Sequence, residues 1–198
     1  MVDNPPNYFW DSCVFTAFLQ NEVNAYDVNS ISQYLLDARE SKCKIYTSSI
    51  VFAEVLPSQI KNKKIHDFND FVDDFRGAIS IIDATANIVQ VAGKLRDLPY
   101  SKSKGTRILG TADSIMLATS LYANDVFGIE IEAFHTYDKG KKRGEDGSKN
   151  VPLLNYQEWC EKQTKAQLSI SQKIIDLNRC APVHPTPDLF AHAGPEKK

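Results

Sequence analysis

Long apolar runs are missing from this chain: none approaches the roughly 18 consecutive residues that a membrane-spanning helix needs. The opening Met-Val-Asp-Asn-Pro-Pro carries no basic stretch ahead of an apolar one, so no secretory leader is expected and the cytoplasm is the expected compartment. Cysteine is scarce. Cys13, Cys43, Cys160 and Cys180 lie far apart, with no C-x-x-C pair and no histidine at finger spacing, which removes support for zinc and thioredoxin-type sites and favours free thiols. A basic excess is also lacking, since 23 Lys and Arg stand against 25 Asp and Glu for a net charge of -2. That balance speaks against a generic nucleic-acid coat while leaving room for local basic patches. There is no G-x-S-x-G, and His66, His135, His184 and His192 have no evident nucleophile partner, which leaves a serine or cysteine hydrolase without a basis. No internal repeat is visible.

What is present is ordinary for a globular protein: 198 residues, 42% hydrophobic and 24% charged. A chain of this length can bury about 70% of its unfolded surface, enough for a full core. The aromatic run Tyr8-Phe9-Trp10 predicts a first strand, stopped by Asp11 at a turn into a helix over Val14 to Leu19. Ser30 to Gln33 reads as a capping box for a second helix, and Cys43 to Thr47 alternates as a second strand. Ile50 to Leu56 reads as a helix apolar nearly all round, hence buried, with Glu54 as its one carboxylate. Asp67 can cap a helix carrying Phe68, Phe71, Val72 and Phe75, with Asp70, Asp73 and Asp74 on a solvated face. Ile79 to Ile82 predicts a third strand, and Thr85 opens a helix that ends at Pro99.

Tyr100 to Arg107 is polar, basic and Gly-containing, and reads as an exposed loop. A helix over Ala112 to Tyr122 follows, broken at Asn124-Asp125, and then a fourth strand over Ala133 to Thr136. Lys139 to Gly147 reads as a loop with a basic first half, and Val151 to Leu154 as an edge strand. Asn155 and Glu158 offer a capping pair for a helix that includes Trp159. Periodicity is weaker from there to Asn178, and the Pro-rich residues from Ala181 predict an extended tail. The expected division is a domain over 1–160 and a helical extension with a tail over 161–198.

Strands alternating with helices imply a three-layer α/β/α fold around a parallel sheet of four to five strands. In such a sheet the crevice outside the strands' carboxyl ends is where ligands bind. Asp11 and Asp138 stand at strand ends, while Glu54 and Asp113 stand in early helical turns, so all four can face that crevice. Each has a plainer reading: Asp11 or Ser12 as a helix cap, Glu54 as a surface glutamate, Asp113 as a partner of the helix dipole. Together, however, four acids without a matching cation repel one another, and Mg²⁺ or Mn²⁺ is the kind of ion that hard oxygens hold. Such an ion beside a phosphodiester supports hydrolysis. A haloacid-dehalogenase-like phosphatase would also put an Asp after the first strand, but Asp11-Ser12-Cys13 lacks the second Asp two residues on.

Four segments, Phe9-Trp10-Asp11-Ser12, Thr47 to Val55, Thr111 to Thr119 and His135 to Asp138, resemble the PIN domain family and within it the VapC-type ribonuclease toxins. The resemblance spans roughly Tyr8 to Leu154. It implies metal-binding and catalytic roles for Asp11, Glu54, Asp113 and Asp138, supporting hydroxyls from Ser12 and Thr136, and endoribonuclease activity with Mg²⁺ or Mn²⁺. It also implies an RNA substrate and an antitoxin protein as partners, leaves room for a homodimer, and gives no role to a membrane. The basic segments Lys102/Lys104/Arg107 and Lys139/Lys141/Lys142/Arg143 are expected to hold the RNA backbone. The segment after Trp159 and the basic stretch after Asp138 depart from a compact toxin. The alternative is a catalytically inactive RNA- or protein-binding module on the same fold.

Overall fold

The computed structural model describes residues 4–61, 64–103, 105–140 and 149–185. Strands β1 (Asn7–Trp10), β2 (Lys44–Ser48), β3 (Ile79–Ile82), β6 (Ile131–His135) and β7 (Arg179–Cys180) form one parallel sheet in the order β3-β2-β1-β6-β7. Helices α1 (Ser12–Leu19), α2 (Val28–Arg39), α3 (Val51–Glu54) and α4 (Phe68–Asp74) lie in the crossovers that carry the chain from β1 to β2 and β3. Helices α5 (Ala86–Arg96) and α6 (Thr111–Phe127) lie in the return crossover from β3 to β6, with α7 (Lys165–Asp176) between β6 and β7. Because parallel crossovers are right-handed, reversing the direction of travel puts the return helices on the other face, which yields the expected three-layer α/β/α arrangement.

The aromatic run is the middle strand for a physical reason. Phe9 and Trp10 are fully buried and Phe9 stacks on Phe134 of β6 at 5.3 Å, so β1 is apolar on both faces as a central parallel strand must be. Each such side chain contributes about 1.5 to 3 kcal/mol by leaving water.

Several expectations change. The N-cap of α2 is Asp27, whose carboxylate accepts from the Ser30 N–H at 3.0 Å; Ser30 supplies that donor and caps nothing itself. The helix holding Glu54 is four residues long and not buried all round, since Phe52 is 40% exposed. Tyr100 to Arg107 is no open loop: Tyr100–Lys102 (β4) and Gly105–Arg107 (β5) pair as an antiparallel hairpin. Its anchor is Tyr100, buried with its hydroxyl 2.9 Å from that of Tyr156. Asn124-Asp125 does not break α6, which runs on to Phe127 and stops where Gly128 takes a left-handed φ of 63°. Val151 to Leu154 forms no strand; Val151 donates to the Ile108 carbonyl at 2.9 Å, and Asn150 makes a lone bridge to Ile108. Tyr156–Trp159 is a 3-10 turn to which Asn155 offers no side-chain cap.

The part after residue 160 is built into the same sheet. Thr164 and Gln167 form a true capping box at the start of α7, Ile174 is fully buried, and β7 pairs with β6 through Phe134 and His135. The extended residues beyond it are docked on α2: Tyr34 Oη donates to the Val183 carbonyl at 3.1 Å, and His184 Nε2 lies 2.8 Å from Asp37 Oδ2. The remainder of the expected tail, 186–198, falls outside the described residues.

Candidate functional site

The sheet reverses its order of travel between β1 and β6, and outside the carboxyl ends of those strands lies a cleft of about 360 Å³. Asp11, Ser12, Glu54, Asp113, Asp138 and Lys139 line it, together with Cys13, Tyr26, Tyr137 and Asn150. Thr136 sits just beneath, fully buried.

Asp11 is 3% exposed and directly follows β1, where its N–H donates to the His135 carbonyl at 3.0 Å. It occupies the N-cap position of α1, yet its side chain makes no capping hydrogen bond. Its Oδ2 instead accepts from Thr136 Oγ1 at 2.7 Å and from Cys13 Sγ at 3.0 Å. Ser12 Oγ lies 2.7 Å from Glu54 Oε2 and 3.4 Å from Asp11 Oδ1, and its single proton goes to the nearer carboxylate. Thus one hydroxyl joins two acids that are far apart in sequence. Burial pushes the Asp11 carboxyl above its ordinary range, opposed by the Cys13 and Thr136 hydrogen bonds and reinforced by Asp138. Burial and the Asp11 charge push the Cys13 thiol well up, so it stays a neutral donor.

Asp138 is held differently. One carboxylate oxygen accepts the Gly140 N–H at 2.8 Å and the other the Leu153 N–H at 3.1 Å, while its own N–H donates to Thr136 Oγ1 at 3.0 Å. It therefore ties the segment after β6 to the segment before the Tyr156 turn. Asp113 enters the cleft from the first turn of α6. A Cβ on Gly110 would run into the Asp113 carboxylate and sit 3.2 Å from Asn150 Nδ2, so the glycine leaves room for Asp113 in its present position.

The basic residues divide. Lys139 is exposed at the cleft. Lys102 pairs with Glu158 at 2.5 Å, and Arg107 donates to the Asn150 carbonyl at 2.9 Å with its guanidinium 4.1 Å above the Trp159 ring. Both are engaged in holding the β4–β5 hairpin region together. Lys104, Lys141, Lys142 and Arg143 lie outside the described residues.

Cys13, Tyr26, Tyr137 and Asn150 were not singled out by the sequence reading. Cys13 and Tyr137 neighbour two of the acids in sequence, which was the available signal. Tyr26 and Asn150 had none, because loops bring them in; the Tyr26 and Tyr137 rings meet at 4.3 Å between centroids.

Among the described residues, no three His, Cys, Asp or Glu side chains form a ready-made metal cage. The donors still fit a hard divalent cation. Mg²⁺ is usually held by one or two carboxylates with several waters kept, and an Asp11 carboxyl disfavoured as an anion by burial is one that a nearby cation relieves.

No protein-family model matches the chain, and no curated protein matches it. Among solved structures it is similar to VapBC2 from Rickettsia felis bound to a DNA fragment from their promoter, with 22% identity over 60% of this chain and 83% of that one and a TM-score of 0.39. A likeness of that size says nothing about chemistry, which is read from the cleft alone.

Proposed function

We propose that this chain is a divalent-metal-dependent endoribonuclease that hydrolyses RNA phosphodiester bonds, acting in the cytoplasm as the toxin of a toxin–antitoxin pair. The observation that carries the nuclease reading is the convergence of Asp11, Glu54, Asp113 and Asp138, from four separate elements, on one cleft at the point where the sheet reverses. The toxin assignment rests on the resemblance of the four motif segments to VapC-type ribonucleases.

In this reading Asp11, Glu54 and Asp113 would hold Mg²⁺ or Mn²⁺, which would supply an activated water and charge stabilisation for in-line displacement at a phosphodiester. Thr136 fixes the Asp11 carboxylate from below, and Ser12 sets the spacing between Asp11 and Glu54. Lys139 faces the incoming phosphate as a point charge. Asp138 supports the wall on which Lys139 stands.

A second reading, a non-cleaving RNA- or protein-binding module, is favoured by one feature: both Asp138 oxygens already accept backbone N–H groups. Incubating a mixed RNA pool with purified protein and Mn²⁺ or Mg²⁺ separates the two. Cleavage that stops in EDTA and in Asp11→Asn supports the nuclease; retention of RNA without any cleavage supports the module.

A further inference from the structure

A larger hollow, of about 530 Å³, lies far from the acids of the cleft, at the start of β6 and the end of α6. Asp125, Glu130, Glu132 and Asp176 line it, with Lys173 as the one cation among the described residues. It continues into an apolar groove of about 280 Å³ between α5, α6 and α7, and the two share Leu121, Asp125 and Lys173. Leu121, Tyr122, Val126 and Ile170 supply much of the apolar wall. Val126 is 54% exposed and Ile170 40%, and Phe127, 55% exposed, meets Tyr122 edge-on at 5.4 Å. The core side of α7 carries Ile174 and Ser171, and Ile170, one turn before Ile174, is left part-exposed at the groove.

We infer that this groove docks a cationic amphipathic helical segment of another protein, whose apolar side chains enter between α6 and α7 and whose Lys or Arg residues face Glu132 and Asp176. Charge selects the occupant. Among the described residues the one cation of the hollow, Lys173, is already paired with Asp125, and Asp176 accepts only from the neutral Gln172 amide, so the rim carries net negative charge beside apolar surface. RNA and anionic lipid are repelled by such a rim. A second copy in two-fold contact would bring one net-negative patch onto another, because a symmetric interface meets its own patch. A helix laid in a groove through side chains at i, i+3, i+4 and i+7 satisfies both halves of the surface.

The site is separate from the cleft. Asp113 stands in the first turn of α6 at the cleft and Asp125 in its last turn at the groove, and 12 residues of helix separate them by roughly 18 Å. Docking here leaves the acids uncovered, so the proposal stands or falls apart from the nuclease reading.

The test is fluorescence anisotropy on the full chain in EDTA with two labelled helical peptides that share one leucine stripe, one bearing Lys at every other position and one bearing Glu. The Lys peptide is expected to bind, with affinity falling as salt rises, and the Glu peptide at least tenfold more weakly. Val126→Asp and Ile170→Asp, both at exposed positions and checked for folding by circular dichroism, should each weaken the Lys peptide at least tenfold. Glu132→Lys with Asp176→Lys should invert the preference. Equal binding of both peptides, no binding of either, or full binding by both apolar variants overturns the proposal. Sedimentation showing a dimer that Ile170→Asp dissolves also overturns it, by making a second copy the occupant.

Discussion

Asp11 and Asp138 follow the two strands that flank the reversal of the sheet, and they are held by opposite means. Asp11 receives its main hydrogen bonds from the side chains of Thr136 and Cys13, with the Ser12 backbone a lesser donor. Asp138 receives two from the backbone, at Gly140 and Leu153. A hydroxyl or thiol can turn aside when a cation or phosphate arrives, whereas a backbone N–H moves only with its loop. Burial also separates them, since the Asp11 carboxyl is raised by loss of water while Asp138 is only half-buried. The same residue type is thus held mainly by side chains on one side of the cleft and by backbone on the other.

The largest effect expected from this contrast is on cleavage. Asp11→Asn keeps the shape but removes the charge that a hard cation needs, and should lower the cleavage rate by roughly three decades, about 4 kcal/mol in the barrier. Asp138→Asn should leave most of the rate intact. Initial rates on one RNA with Mn²⁺ check both, and equal losses would erase the distinction.

Next in size is a pH effect at His135, the last residue of β6, which lies beneath both acids. The ring is 2% exposed, stacks on Tyr8 at 4.9 Å, and has its pKa lowered by burial to about 4. A histidine depressed on folding contributes stability above its unfolded pKa, and that contribution is lost as pH falls from about 6.5 through about 4. At most about 3 kcal/mol is at stake. His135→Phe retains the stacking and cannot titrate. Urea unfolding between pH 7 and pH 4 should show a steep acid loss in the wild type and a shallower one in the variant; identical slopes would place the acid loss elsewhere.

How much of this could be read from the residues depends on what holds each part in place. β1, β2, β3 and β6 were legible because their apolar residues are buried by the sheet itself. β7 was not: it is the two-residue strand Arg179–Cys180, too short to alternate, and it exists because Phe134 and His135 offer it an open edge. The β4–β5 hairpin was hidden under Ser101-Lys102-Ser103, since what fixes it is the buried contact between Tyr100 and Tyr156, 56 residues apart. All four acids were legible as acids at element ends. How each is held was not, because whether Asp138 meets backbone or side-chain donors depends on where Leu153 returns, which no local pattern encodes.

A smaller effect tests the fastening. Asp138→Ala removes two hydrogen bonds to a charged acceptor at a half-buried site, where water replaces part of what is lost, and about 2 kcal/mol of stability should go with them. Hydrogen exchange should speed up at the Gly140 and Leu153 amides while the β1 amides keep their protection. Protection lost evenly across the sheet would mean that Asp138 supports the whole fold rather than one wall.

Smallest are the metal-free melting shifts, in which the two acids should differ in sign. A carboxyl whose pKa is raised on folding contributes stability below its unfolded pKa, and this is lost as pH rises through the folded one. For Asp11 the raised pKa therefore opposes folding of the metal-free protein at neutral pH, with burial as the main cause and Asp138 adding to it. Asp11→Asn should raise the melting temperature in EDTA, and the gain should shrink as pH is lowered toward the ordinary carboxylate range. Asp138→Asn should lower it, because an amide nitrogen turned toward the Gly140 or Leu153 N–H meets a donor where an acceptor stood. Added Mn²⁺ should then reverse the order of wild type and Asp11→Asn, since at 100 times its dissociation constant an ion stabilises the form that binds it by about 2.7 kcal/mol. Thermal melts of the three proteins with EDTA and with Mn²⁺ measure every term. If Asp11→Asn melts lower in EDTA and Mn²⁺ shifts none of them, then Asp11 is a structural acid like Asp138, and the contrast between the two sides of the cleft disappears.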